Sequence, residues 1–303
     1  MTSDSTRYLD PKVLDKIEGL DFKARLIVEG FISGLHRSPF RGFSVEFAEH
    51  REYVPGDDIR FLDWKVFGRS DRLYIKRYED ETNLEATLVV DVSESMTYRG
   101  ESVRHTKLDY ARWASAALAY LITQQQDAVG LVLFDDQVRK TLPTGSNPIH
   151  LKNVFASLDA ASPTGTTGIG RALKEVGESL RRRGLVLLFS DLLDDPAEIA
   201  RGLKNVRNRG HEMILFHVLD HDETTFPFER LTRFEGMEGV PDVIAQPEAL
   251  RTAYLAEVDA FQRSIRRTCL ANRIDYVPLD TSDSLGTTLA AYLARRDARR
   301  RRR

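Results

Sequence analysis

The spacing of apolar residues changes character near residue 84, and the change divides the chain. From Ala86 onward, short apolar runs alternate with longer stretches of helical period. Ala86-Thr-Leu-Val-Val-Asp91 is a short apolar run closed by a carboxylate, the profile of a strand covered on both faces. Residues 107–125 are apolar almost all round and predict a helix packed on a sheet. Ala128–Phe134 reads as a second strand, with Val138–Leu142 as its hairpin partner. Helices are expected at 148–159, 168–183 and 196–208, strands at 185–190 and 213–219. A helix at 248–272, a strand at Tyr276–Leu279 and a helix near 284–296 follow. This alternation predicts an α/β fold with a doubly wound, mostly parallel sheet and helices on both faces.

Two stretches fall outside the alternation. Residues 38–83 are dense in charge and punctuated by Gly42, Pro55 and Gly56, which suggests short strands such as Phe43–Phe47 and Leu73–Tyr78 joined by turns. Residues 226–247 are likewise rich in Pro, Gly and short extended pieces, and are expected to join 38–83 in a small β-rich satellite. Before both, Leu14, Ile17, Leu20, Phe22, Leu26, Ile27 and Phe31 mark one side of an amphipathic helix. The expected division is therefore 1–83 for the N-terminal helix and β-rich segment, and 84–225 for the α/β core. Next come 226–247 as the insertion, 248–296 completing the α/β domain, and 297–303 as an Arg-rich tail.

Composition narrows the function classes. The 303 residues are 42% hydrophobic, enough for a sizeable core. Net charge is −2, yet residues 295–303 carry seven Arg and one Asp, leaving −8 on residues 1–294. An acidic body argues against a dedicated nucleic-acid-binding domain, and the tail reads as a solvated end after the last helix. The single Cys269 excludes an intramolecular disulfide and suits a buried apolar position. No apolar run resembles a leader, and the stretch around Ala114–Ile122 is far short of the ~20 residues that span a bilayer, so the cytoplasm is the expected location.

Chemistry concentrates in Asp91-Val-Ser93-Glu-Ser95, where a covered strand meets a loop. In open α/β sheets ligands bind beyond the carboxyl ends of strands where strand order reverses. Asp91 ends one such strand and Asp191 ends another, and a doubly wound topology would set them on one crevice. Thr166 and Thr167, in Pro163-Thr-Gly-Thr-Thr-Gly168, can reach the same place. Two carboxylates and three hydroxyls make an all-oxygen shell suited to one hard cation, Mg2+ or Mn2+; with no His or Cys in the motif, zinc is disfavoured. Alone, the Asp-x-Ser-x-Ser spacing also fits a turn whose Asp caps the next helix. Asp191 and the threonine loop tip the balance toward a cation, because converging carboxylates repel without one.

This constellation resembles the metal-ion-dependent adhesion site of von Willebrand factor A domains, with Asp91, Ser93 and Ser95 as its first element and Asp191 as its last. By that family's spacing the threonine is Thr167, with Thr166 the alternative. The resemblance implies hydroxyls ligating directly, carboxylates acting mainly through water, and one position left for an acidic residue of a partner. A wider resemblance spans nearly 20–296. Tyr53-Val-Pro-Gly-Asp-Asp-Ile-Arg60, Asp63-Trp64-Lys65, Arg69 and Tyr74-Ile-Lys76 are similar to the domain of unknown function 58 family, as are 220–228, 234–239, Tyr276-Val-Pro-Leu and Tyr292-Leu-Ala-Arg295. It implies an adapter working with a MoxR-type AAA+ ATPase in protein or metal-centre maturation.

Other features have plainer readings. Arg51, Glu52, Asp57, Asp58, Arg60, Asp63 and Lys65 form either a docking face or an ion-pair network fastening this segment, with Trp64 as a buried anchor. Asp135-Asp136 reads as a turn, and His217 with His221 as two unrelated residues straddling a strand end. The glycines of Gly165–Gly170 do not match dinucleotide spacing, and neither a P-loop nor a nucleophile elbow occurs. The competing function is a Mg2+-dependent phosphatase-like hydrolase with Asp91 as nucleophile. Ser93 stands where such enzymes carry their acid, and no Lys or His base is evident beside the motif.

Overall fold

The boundary at residue 84 is physical. In the computed structural model, which describes residues 19–32, 46–54, 62, 64–70, 72–79 and 84–300, the chain forms two units, Phe40–Leu84 and the remainder.

The N-terminal helix α1 (Leu20–Ile32) belongs to the larger unit, not to the β-rich segment that follows it in sequence. It buries Leu20, Ala24, Ile27 and Val28, while Phe22, expected on that face, is exposed; Leu14 and Ile17 lie outside the described residues. Within the smaller unit, β1 (Glu46–Glu52) and β2 (Tyr74–Glu79) pair antiparallel, and a short helix α2 (Trp64–Ser70) stands between them where only strands and turns were expected. Asp57, Asp58, Arg60 and Asp63, from the charged signature, lie outside the described residues. Trp64 is no buried anchor: it is 63% exposed, edge-on to Phe67 one helical turn away. Trp64→Ala is accordingly expected to change stability by only about 0.5 kcal/mol or less, read as an unchanged thermal midpoint.

The larger unit continues with β3 (Glu85–Asp91), α3 (Lys107–Gln124), β4 (Ala128–Phe134), β5 (Val138–Gly145), α4 (Pro148–Asp159), α5 (Ile169–Ser179), β6 (Leu185–Ser190), α6 (Pro196–Asn208) and β7 (Glu212–Leu219). The short helix α7 (His221–Thr225), the hairpin β8 (Thr232–Phe234) and β9 (Val243–Ala245), the long helix α8 (Pro247–Ala271), β10 (Asp275–Asp280) and α9 (Leu285–Arg300) complete it. Strand order is β10-β7-β6-β3-β4-β5, parallel except for the edge strand β5. This is the doubly wound, mostly parallel sheet that the alternation predicts.

Alternate residues of each strand face opposite layers. Val186 and Leu188 of β6 join Val89, Val132 and Leu215 in a core closed by Leu173, Leu203 and Cys269 from α5, α6 and α8. On the other face Phe189 stacks on Phe216 at 4.7 Å, and Tyr292 of α9 meets Phe216 edge-on at 5.8 Å. Helices α1, α3, α4 and α9 form that second layer.

Two expectations need correction. Residues 226–247 do not join the satellite sheet: β8 pairs with β9, and the segment belongs to the larger unit. The reason is aromatic. Phe226 packs on Tyr254 of α8 at 4.6 Å and on Phe228 and Phe234 at 5.1 and 5.7 Å, anchoring the hairpin's base. Nor does the final helix stop near 296. It runs to Arg300, with Arg296 bonded to Asp275 and Glu212 on the strand edge. Among the described residues no helix is long and apolar enough to cross a membrane.

Candidate metal centre

The chain leaves β3 for β4 on one side and returns through β6 on the other, so β3 and β6 are neighbours at the point where strand order reverses. Asp91 is the last residue of β3 and Asp191 follows the last residue of β6. Both are buried.

Local turns aim the remaining groups. Asp91 Oδ1 accepts from the Ser93 amide at 2.9 Å, which folds the strand end back on itself. Asp91 Oδ2 accepts from Ser190 Oγ at 2.5 Å, tying the two strand ends together. The threonine loop is laid along this turn by Thr164 N–H to Val92 O at 3.0 Å and Glu94 N–H to Gly165 O at 3.0 Å. Gly165 makes that possible with φ +68°, the left-handed region that side chains disfavour. Asp135 holds the loop from behind, accepting from Thr164 Oγ1 at 3.0 Å and, through its carbonyl, from Gly168 N at 3.0 Å. It is a turn residue in service of the site, as its sequence context suggests.

Three hydroxyls line up as a result. Ser93 Oγ is 3.1 Å from Ser95 Oγ, which is 3.4 Å from Thr167 Oγ1. Thr166 is exposed, so Thr167 is the threonine that reaches the serines. Adjacent oxygens around an octahedral Mg2+ lie about 2.9 Å apart, given bonds of 2.0–2.1 Å. The hydroxyl file is close to that spacing, and the donor set fits a hard cation.

The electrostatics agree. Burial, then the nearby Asp191 carboxylate, raise Asp91 to about 7, despite hydrogen bonds from Ser190 and Ser93 that favour its ionised form. Burial would raise Asp191 too, but the Lys107 ammonium at 2.8 Å holds it below the usual carboxylate range. Lys107 thus pairs with Asp191 Oδ2 and keeps Asp191 anionic in the interior. Lys107 also bonds Glu223 at 2.7 Å. Carboxylates outnumber the single ammonium here, an excess that a cation would offset.

Several of these groups escaped the sequence reading. Lys107 stands beside the site although no such lysine was evident, because it opens α3 sixteen residues after Asp91 and its ammonium folds back. Glu223, on α7, gives no local signal. His217 hydrogen-bonds the Asp191 carbonyl at 3.0 Å and Tyr276 OH at 2.8 Å, and burial lowers it to about 4, so it stays neutral and positions Asp191. His221 turns instead to Asp280. Leu192, directly after Asp191, sits at φ +59°, a conformation costly for a branched side chain and found preferentially at functional turns. Finally Glu238, from the β8–β9 loop, accepts from Thr167 Oγ1 at 2.8 Å, Thr167 N at 2.9 Å and Ser95 N at 3.3 Å.

The model of the family described as protein of unknown function DUF58 matches residues 49–264. An uncharacterized protein of Mycobacterium tuberculosis is 26% identical over 263 residues, covering 86% of this chain and 82% of its own, and one from Mycobacterium bovis matches to the same extent. Among solved structures, the conserved hypothetical protein BatB from Bacteroides thetaiotaomicron aligns with TM-score 0.50 at 17% identity, over 70% of this chain and 98% of its own. The SpRpn10 VWA domain aligns with TM-score 0.42 at 13% identity, over 68% of this chain and 94% of its own. At 17% identity, the likeness to BatB speaks to the fold.

Proposed function

We propose that this chain, which belongs to the DUF58 family and has a von Willebrand factor A-like fold, is a non-catalytic protein–protein adapter whose docking site is built on one divalent cation, Mg2+ or Mn2+. Ser93, Ser95 and Thr167 would hold the ion directly, and Asp91 and Asp191 would neutralise it from behind. The cation supplies a Lewis-acidic position for a carboxylate of the partner. The observation that carries this reading is the file of three hydroxyls backed by two buried carboxylates at the sheet's reversal point. The partner we propose is a MoxR-type AAA+ ATPase, or a client it serves in maturation, in the cytoplasm. The test is capture of such an ATPase from the same genome with and without Mg2+, comparing wild type with Asp91→Asn. Equal capture in all four arms removes the metal-dependent adapter.

Lys107 lends some support to a second reading, a Mg2+-dependent hydrolase, since a cation near a nucleophilic carboxylate stabilises anionic substrates. Two features oppose it. Both Asp91 oxygens are engaged and the side chain is buried. The two carboxylates bonded to Lys107 keep it protonated, raising its pKa despite the burial that lowers it, so it cannot act as a base. Turnover of a generic phosphate ester that depends on Mg2+ and vanishes in Asp91→Asn would reverse this preference.

The raised Asp91 has a direct consequence. A proton and the cation compete for one carboxylate. Mg2+ affinity is expected to fall about tenfold per pH unit below about 7 and to level off above it. Calorimetry between pH 5.5 and 8.5 reads this, and a flat profile would mean Asp91 is already ionised without metal.

A further inference from the structure

The place where a partner's carboxylate would meet the hydroxyl file is covered from within the chain. Glu238 sits at the tip of the β8–β9 loop, and one carboxylate receives three hydrogen bonds from Thr167 and Ser95. The tip is gripped in return, since Glu238 N–H donates to Glu94 Oε2 at 3.2 Å. Glu238 and Gly239 both have positive φ, +56° and +80°, inside a turn closed by Val240 N–H to Met237 O at 3.1 Å. Turns of this kind select Asn, Asp or Gly at their central positions. A glutamate there works against the backbone, and what it gains is a carboxylate delivered to the site.

The rest of the hairpin is arranged as a lever. Its stem packs through Phe226, Phe228, Phe234 and Tyr254, whereas the β9 side chains Val243 and Ile244 and the loop residue Val240 are exposed. Within the tip, Met237 and Glu238 are half-buried, while Glu235, Gly236, Gly239 and Val240 are exposed.

We infer that Glu238 is an internal stand-in for the partner's acidic residue, so that the β8–β9 hairpin keeps the docking site closed until its tip is displaced. The inference rests on the reading of the site as a cation-dependent acceptor of carboxylates. It explains how a reactive Lewis-acidic position would be kept from free carboxylates in the cell. It also predicts that docking is slow or regulated, because the apparent affinity of any acid is reduced by the fraction of protein with the tip released.

Two measurements on the full chain test it. In metal-free protein, amide exchange at Thr167 and Ser95 is expected to accelerate ~10-fold or more in Glu238→Ala, with β3 and β6 amides unchanged. Glu238→Gln should fall between, since the amide keeps one acceptor. In Mn2+-loaded protein, water-proton relaxation reports open coordination positions. It should rise in Glu238→Ala, and added acetate, with chloride as the ionic-strength control, should lower it at ~10-fold smaller concentration than in wild type. Equal exchange at Thr167, or equal acetate response, in wild type and variant overturns the inference while leaving the metal centre standing. Failure of Mn2+ to bind either protein overturns the metal centre and the inference together.

Discussion

Replacing Asp91 with Asn is expected to weaken Mg2+ binding ~10–100-fold without loss of the fold. The two halves of that statement have different causes. Asp91 is buried beside Asp191, so its charge is unfavourable until a cation arrives; burial and Asp191 already raise it to about 7. Asn removes the charge and keeps one oxygen to accept from the Ser93 amide, so the turn that aims Ser93 and Ser95 persists. Loss of repulsion between the carboxylates offsets the poorer bond to Ser190. Calorimetry with Mg2+ gives the first half and circular dichroism with thermal melting the second. Unchanged affinity would take Asp91 out of the site; a collapsed fold would mean its charge is structural.

Lys107→Met should have the largest effect on stability, a loss of about 3–5 kcal/mol, because it strands Asp191 and Glu223 in the interior without their shared ammonium. Asp191's part of the pH dependence should also change sign, while Asp91 and Glu223, already raised in the wild type, keep theirs. In the wild type, Asp191 is held below its ordinary value, so its contribution is present above the unfolded pKa and lost as pH falls through the folded one. Without Lys107, burial raises Asp191 and raises Glu223 further, and their contribution is full at low pH and lost as pH rises. Denaturant melts from pH 5 to 8 distinguish the two profiles. Added Mg2+ should recover part of the loss at neutral pH by supplying the missing positive charge. A variant as stable as wild type, with the same profile, would show that the ammonium does not serve this buried pair.

What could be read from residues alone follows a physical line. Strands β3, β4 and β6 are covered on both faces, so their sequences are runs of Val, Leu and Phe that no other element resembles. Asp91 and Asp191 were legible because a carboxylate ending such a run is conspicuous, and the doubly wound order then places both at one crevice. The resemblance favoured Thr167 and left Thr166 open, and the structure brings Thr167 to Ser95. Lys107, Glu223 and Glu238 were not legible, because each reaches the site across sequence separation. Charged side chains with long stems carry no mark of where their heads end. Trp64 misled for a related reason: a tryptophan beside charges suggests an anchor, but composition does not fix exposure.

The bond between Ser190 and Asp91 spans 99 residues. β6 can pair with β3 only after the chain has built β4, β5 and three helices and crossed back, which makes the reversal point among the late, non-local contacts of the fold. An ion held there would have nothing to grasp in a half-built chain. It would lengthen the lifetime of the finished protein by slowing its unfolding, and leave the rate of reaching that state almost untouched. Metal availability would thus act on how long each molecule survives, long after synthesis has ended.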